Sequence, residues 1–332
     1  PQSLGELRFY SVAPTLPSAD VSVTVHEGDA PGVGKAGYLV RFLNAGGTTV
    51  AALTTDSTGT VTRHLTNGVY SYTVERGGAH SQPRPFTVAG QALALDYRLA
   101  TVTVKVADGA GVGKAGYLVR VFNGTAGSGS EWVNATTNSS GLATFDLVEG
   151  SYGYRIDRAG AMSAKTGFEV TVGTDQTLTY TLTTVSVRTV DDAGAGKAGY
   201  LVRVFNGLDG VGVEWGNATT DANGFARFYL VEGNYGYRID RSGASSAKVG
   251  FTVQPGVDQA LVYRLAAVTI RAADGAGNGK AGYLVRVYNG VDGSGTEWGN
   301  ATTDSNGQAT FYLLEGSYGY RVERSGAASS KV

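Results

Sequence analysis

The chain has no cysteine, one methionine, seven prolines in 332 residues and no excess of either charge, its 27 basic and 28 acidic side chains leaving a net charge of -1. Each shortage excludes something. Without cysteine there is no disulfide framework, no thiolate metal site and no thiol nucleophile, so stability outside a cell has to come from elsewhere. Balanced charge argues against nucleic acid or an anionic membrane as partner. No run approaches the roughly 18 apolar residues that a membrane-spanning helix needs, and a hydrophobic content of 42 % is too high for a disordered chain. Pro1 opens the sequence in place of an initiator methionine or a signal segment, which suits a processed chain or a piece of a longer one. What is abundant is glycine, with fifty residues, and tyrosine, with nineteen; together with many Thr-Val pairs they point to short strands joined by glycine turns.

Internal repetition is the main signal. Gly-Lys-Ala-Gly-Tyr-Leu-Val-Arg occurs four times, with its lysine at Lys35, Lys114, Lys197 and Lys280, a period of about 80 residues. That period exceeds a solenoid unit and suits a small domain with its own core. Repeats three and four agree at about three-quarters of positions from Lys197 and Lys280 onward, the mark of recent duplication. Near-copies in tandem favour length or multivalency as the selected property, since one catalytic site gains little from copying.

In repeat two, alternation of apolar and polar residues predicts seven strands. Val102, Val104 and Val106 face inward in the first, Tyr117, Val119 and Val121 in the second. After a flexible glycine-rich loop at 124–130 come strands through Trp132 and Thr136, from Leu142 to Leu147, and through Tyr152, Tyr154 and Ile156; Phe168 to Val172 and Leu178 to Leu182 give the last two. No segment carries a helical period. Seven strands in some 80 residues make an immunoglobulin-like or prealbumin-like sandwich. The expectation is an all-β tandem array of four such domains forming a rod: an N-terminal segment 1–19, then sandwiches at 20–100, 101–183, 184–266 and 267–332, the last incomplete.

A valine-rich opening strand, then Asp-Gly-x-Gly, then Thr-Thr-Asp-Ala-Asn-Gly-Phe-Ala-Arg-Phe at 219–228 and Leu-Val-Glu-Gly-Asn-Tyr at 230–235, resembles the carboxypeptidase-regulatory-like and Cna B-type domains. The resemblance covers nearly the whole chain and implies prealbumin-like sandwiches strung along a bacterial surface protein. Its motifs are turn and core chemistry, so it bears on fold more than on function. In the shared turn, Asp56, Asn138, Asp221 and Asp304 are placed to bond their own downstream amides, and Gly59, Gly141, Gly224 and Gly307 to supply a positive φ.

The resemblance also implies a self-formed Lys-Asn or Lys-Asp isopeptide bond helped by a buried acid. Here the strand phase is off by one residue. Lys105 alternates out of step with the inward valines, its counterparts are His26, Arg188 and Arg271, and the helper acid's place is held by Ile156, Ile239 and Val322, with Asp157, Asp240 and Glu323 one residue later. No isopeptide is expected there. Lys114, Lys197 and Lys280 remain as other candidates, against the plainer reading of solvated lysines beside a glycine turn.

No catalytic constellation recurs. His26, His64 and His80 all lie in repeat one and read as surface residues, so no repeated base or metal ligand exists. Asp191-Asp192 and the loops after Asp108 and Asp274 carry oxygen ligands but lack the clustered spacing of a calcium site. Gly109 to Lys114 lacks the spacing and the helix of a phosphate loop. No enzyme activity, cofactor or metal is expected.

Three recurring features invite a functional reading. Asn134, Asn217 and Asn300 open Asn-Ala-Thr sequons at one position of three repeats, joined by Asn123 and Asn138 in repeat two; in a secreted protein from a glycosylating cell they would carry sugar. Trp132, Trp215 and Trp298 follow the glycine loop, with Val50 in their place in repeat one; each suits a sugar ring, a neighbouring subunit or the sandwich core. Arg120, Arg203 and Arg286 interrupt an apolar strand and are placed to pair with Asp157, Asp240 and Glu323.

The junctions carry no Pro- or Ser-rich linker, so the last strand of one repeat runs into the first of the next and the joint should be stiff. Repeat four stops at Val332, before its siblings' last two strands, while Leu7, Phe9 and Val12 form a strand-like piece ahead of the Pro14–Pro17 segment. Two readings stay open: donor-strand addition of one subunit's leading strand to the next subunit's unfinished sandwich, or a window on a longer repeat array. Both describe an extracellular or cell-surface filament, pilus-like fibre or adhesin stalk without enzymatic activity, with self-association as the partnership. The alternative is a multivalent array binding surface glycans through the repeated tryptophans.

Overall fold

The structure, a computed structural model, describes residues 17–29 and 31–332. Leu7, Phe9 and Val12 lie outside the described residues. Period-two patterning becomes strand throughout, and eight sheets form, two from each of the four repeats. No helix among the described residues is long and apolar enough to cross a membrane.

Repeat two shows the plan. One sheet has three strands, with Ala100–Ala107 in the middle, Leu142–Leu147 antiparallel on one side and Gln176–Thr181 parallel on the other. The facing sheet is built from Glu131–Thr136, Leu118–Asn123, Gly150–Arg158 and Thr166–Val170, plus a two-residue strand at Ala161–Met162 that alternation alone does not reveal. The inward residues are those the alternation picks out: Val102, Val104, Val106, Tyr117, Val119, Val121, Tyr152, Tyr154 and Ile156 are all buried. Two apolar faces therefore close on each other, the arrangement that a half-buried antiparallel strand demands. Repeats one and three follow the same plan. In repeat four the first sheet has two strands, Ala266–Arg271 and Gln308–Leu313.

The turn chemistry fits the sequence. The carboxylate or amide oxygen of Asp56, Asn138, Asp221 and Asp304 accepts from the backbone N–H groups two and four residues on, at 2.9–3.0 Å. On the outer face, Arg120, Arg203 and Arg286 pair with Asp157, Asp240 and Glu323 at 2.7, 2.8 and 3.2 Å.

Two expectations fail. His26 is buried, because it lies near the end of the opening strand where the following loop folds over it, its Nδ1 lying 3.1 Å from the Gly28 carbonyl. The loop at 124–130 is not a loose connection. It contains a short 3-10 turn at Thr125–Gly127, and Lys165 donates to the Gly127 carbonyl at 2.6 Å. Gly153 permits this close approach, since a Cβ there would stand 2.6 Å from the Gly127 nitrogen.

Candidate functional site: the seams between repeats

One residue separates the last strand of each repeat from the first strand of the next: Leu99, Leu182 and Leu265. All three are buried, and their N–H groups donate back to the preceding repeat's opening segment, to the carbonyls of His26, Ala107 and Val190, at 2.8–2.9 Å. A linker of one buried, hydrogen-bonded leucine leaves no free dihedral between neighbouring sheets. The repeats are also fused at their cores. Val148 of repeat two belongs to the core of repeat one, and a single cluster runs through repeats two, three and four.

The recurring motif residues meet at these seams. Tyr38, Tyr117 and Tyr200 are buried at the end of their repeat, and their hydroxyls donate to the carbonyls of Asp146, Tyr229 and Tyr312 in the next, at 3.5, 2.6 and 2.8 Å. Burial pushes the Tyr117 hydroxyl up to about 12, so it remains a donor throughout the neutral range. The tryptophan of the following repeat closes over this tyrosine. Trp215 and Trp298 are only 8 % and 5 % exposed, with ring centres 6.3 and 6.1 Å from Tyr117 and Tyr200. Arg158 lies 4.6 Å from both Tyr117 and Trp215, and Arg241 lies 4.6 and 5.4 Å from Tyr200 and Trp298. Each seam thus holds a guanidinium between two aromatic faces, worth on the order of 0.5–2 kcal/mol per contact.

An asparagine completes the joint. The side-chain N–H of Asn123 donates to the Gly77 carbonyl at 2.7 Å, and Asn206 and Asn289 donate likewise to Ala159 and Ser242. These acceptors sit in a left-handed turn, with φ of 56°, 47° and 47°. From the other side Glu149, Glu232 and Glu315 accept the backbone N–H of Gln82, Ala164 and Ala247 in the preceding repeat.

Lys114 and Lys197 correct the expectation of solvated side chains, whereas Lys280 stays 43 % exposed and pairs with Asp274 at 2.8 Å. Lys114 and Lys197 each bond an aspartate of their own repeat, Asp108 or Asp191, at 2.8 Å, and lie 3.7 and 3.8 Å from the ring centres of Tyr229 and Tyr312 in the next. Lys35 pairs with Glu27 and, across the seam, with Asp146 at 3.1 Å. Asp108 and Asp191 also accept loop N–H groups, so their oxygens are occupied. Among the described residues no group of three or more metal-ligating side chains converges.

The sequon residues fall in two settings. Asn134, Asn217 and Asn300 are exposed on an edge strand, each donating to the glutamate three residues before it at 2.6–2.8 Å. Asn123 uses its amide in the first seam, and Asn138 is tied into its turn. The seam glutamates, and Val148, Val231 and Leu314 beside them, belong to a turn motif that gives no sign of a joining role. Their signal is distribution: Val-Glu-Gly or Leu-Glu-Gly recurs in repeats two to four, whereas repeat one reads Thr66-Asn67-Gly68, the same pattern of presence and absence as the tryptophan.

No protein-family model matches the chain, and no curated protein matches it. Similar solved structures include the Bacillus anthracis TIE protein, 17 % identical over 75 % of this chain and 50 % of that one, with a TM-score of 0.22, so the chain spans half its length. The Bacillus cereus major pilin subunit BcpA is 11 % identical over 74 % of this chain and 99 % of its own, with a TM-score of 0.24. The Streptococcus agalactiae minor pilin GBS52 is 16 % identical over 50 % and 94 %, with a TM-score of 0.27.

Proposed function

We propose that the chain is a stiff structural rod, the shaft of an extracellular or cell-surface filament, pilus-like fibre or adhesin stalk, in which each repeat is a domain with the boundaries read above. The observation that carries this reading is the single buried leucine at each junction, which joins last strand to first strand with no linker. The lysine and tyrosine shared by all four repeats, and the tryptophan and glutamate shared by repeats two to four, spend their chemistry on joining neighbours. A rod gains from every added copy of such a joint, whereas a catalyst does not. Asn134, Asn217 and Asn300, exposed on one edge of successive repeats, are the positions we assign to sugar attachment if the producing cell glycosylates.

Small-angle scattering on the full chain tests the rod. A compact body of this length has a radius of gyration of about 20 Å. Four sandwiches end to end, each with strands of about 27 Å, span about 110 Å, which places the radius of gyration above about 30 Å. A value near the compact figure would refute the rod.

A further inference from the structure

The first seam is open where the other two are closed. A cavity of about 410 Å³ spans it, lined from repeat one by Lys35, Tyr38 and Arg76 and from repeat two by Trp132, Asn134 and Asp146. Two differences between near-copies account for the space. Asp146 stands where repeats three and four carry Tyr229 and Tyr312, so Lys35 meets a carboxylate at 3.1 Å instead of a ring. Gly77 stands where the later turns carry Ala159 and Ser242, and Trp132 has settled against it with its ring half-buried. At the second and third seams Trp215 and Trp298 are buried over their tyrosines, and Tyr229 and Tyr312 lie against the lysines.

The groups around this cavity suit one chemistry. Trp132 presents a large apolar ring that solvent reaches. Arg76 is exposed, lies 4.7 Å from the Tyr38 ring and makes no ion pair among the described residues. Asp146 and Asn134 add hydrogen-bonding oxygens at the rim, one half-buried and one exposed. A pyranose matches such a set. One face of its ring is C–H and packs on an aromatic surface, its hydroxyls need acceptors, and a carboxylate on the ring takes a guanidinium in two parallel hydrogen bonds. Cavities of a few hundred Å³ at a junction between domains, with an aromatic wall and few polar groups, are the usual place for a small ligand.

We infer that the first seam binds a pyranose bearing a carboxylate, such as a uronic acid residue of a polysaccharide, with the ring on Trp132, the carboxylate on Arg76 and a hydroxyl on Asp146. This goes beyond the rod reading: all three seams join repeats, and the first also takes a ligand. It narrows the idea of glycan binding through three equivalent tryptophans, because Trp215 and Trp298, at 8 % and 5 % exposure, have no face left for a sugar. The counterparts of Arg76 are likewise taken up by rings. Arg158 lies 4.6 Å from Trp215 and Arg241 5.4 Å from Trp298, against 5.9 Å between Arg76 and Trp132.

Trp132 itself reports on the site. The full chain is made in a host that does not glycosylate, with Trp215→Phe and Trp298→Phe leaving one indole. Methyl glucuronide should shift the indole N–H resonance saturably, with a dissociation constant on the order of 1 mM for a ligand of this size. Methyl glucoside, which lacks the carboxylate, should bind about tenfold more weakly. Arg76→Gln should weaken the glucuronide about tenfold and remove that preference, whereas Arg241→Gln, at the third seam, should leave binding unchanged. No shift at concentrations far above that constant, equal affinity for the two glycosides, or equal losses from the two arginine variants would overturn the assignment. A chain extended in scattering but indifferent to sugar keeps the rod and loses the site; a compact chain that binds loses the rod alone.

Discussion

The seam between repeats one and two differs from the next two at the turn beneath the tryptophan, where Ala159 and Ser242 carry a Cβ and Gly77 does not. A Cβ on Gly77 would lie 2.2 Å from Trp132. Without it, Trp132 comes down on the turn and its indole N–H donates to the Arg76 carbonyl at 2.8 Å, while the ring stays half-buried and 5.9 Å from the Arg76 guanidinium. Where the Cβ is present, the ring moves over the tyrosine instead. Trp215 is then buried, but its indole nitrogen has no partner. One seam keeps a hydrogen bond and gives up burial; the other buries the ring and leaves a donor unsatisfied, a penalty of about 1–3 kcal/mol set against the area removed from water. The charge pattern divides the same way. The first seam is crossed by the Lys35–Asp146 ion pair, and the other two place lysine over tyrosine.

Removing the ring altogether separates the two arrangements most. Trp215→Ala should cost about 3–4 kcal/mol in calorimetric unfolding, the range for a buried tryptophan, and Trp132→Ala roughly half as much; equal losses would contradict the difference in burial. Next in size is Gly77→Ala, which adds a clashing Cβ at a φ of +56° and should cost about 1–3 kcal/mol. In a chain with Trp215→Phe and Trp298→Phe, it should also shift the Trp132 indole proton resonance as its hydrogen bond breaks. Tyr117→Phe deletes a 2.6 Å hydrogen bond to Tyr229 and should cost about 1 kcal/mol. Tyr38→Phe, at 3.5 Å, should cost less.

The smallest effect concerns pH. Burial works against the charge of Asp146, but its contacts with Glu27 and Lys35 outweigh that and hold its carboxyl below the usual range. A depressed acid stabilises the folded chain above its unfolded value, about 3.9, and that stabilisation is lost as pH falls through the lower folded value. Asp146→Asn should therefore lower the melting temperature modestly at pH 7 and leave it unchanged at the acid end, near pH 2. An offset of equal size at both would show that the ion pair contributes nothing.

Most of the sandwich is legible in the chain because alternation is a local property: Val102, Val104 and Val106 declare their face without reference to anything distant. The arginine pairs are legible for the same reason, since register fixes which residues stand opposite. The seams are harder to read. Lys114 beside a glycine turn looks solvated when repeat two is considered alone, and only Tyr229, more than a hundred residues later, covers it. His26 is hidden by a loop that follows it, which strand phase cannot show. What sequence does offer is the contrast between copies. Tryptophan, valine or leucine, and glutamate are shared by repeats two to four and absent from repeat one, and all three sit on the face that docks against a preceding neighbour.

Rigid joining of neighbours is the central claim, and a spin-label distance across the second seam tests it most directly. Labels on Thr144→Cys and Arg227→Cys occupy equivalent exposed positions of repeats two and three. Pulsed dipolar spectroscopy on the full chain should give one narrow distance distribution that broadens when Trp215→Ala is added. A broad distribution in the otherwise unaltered chain, insensitive to Trp215, would contradict a stiff seam.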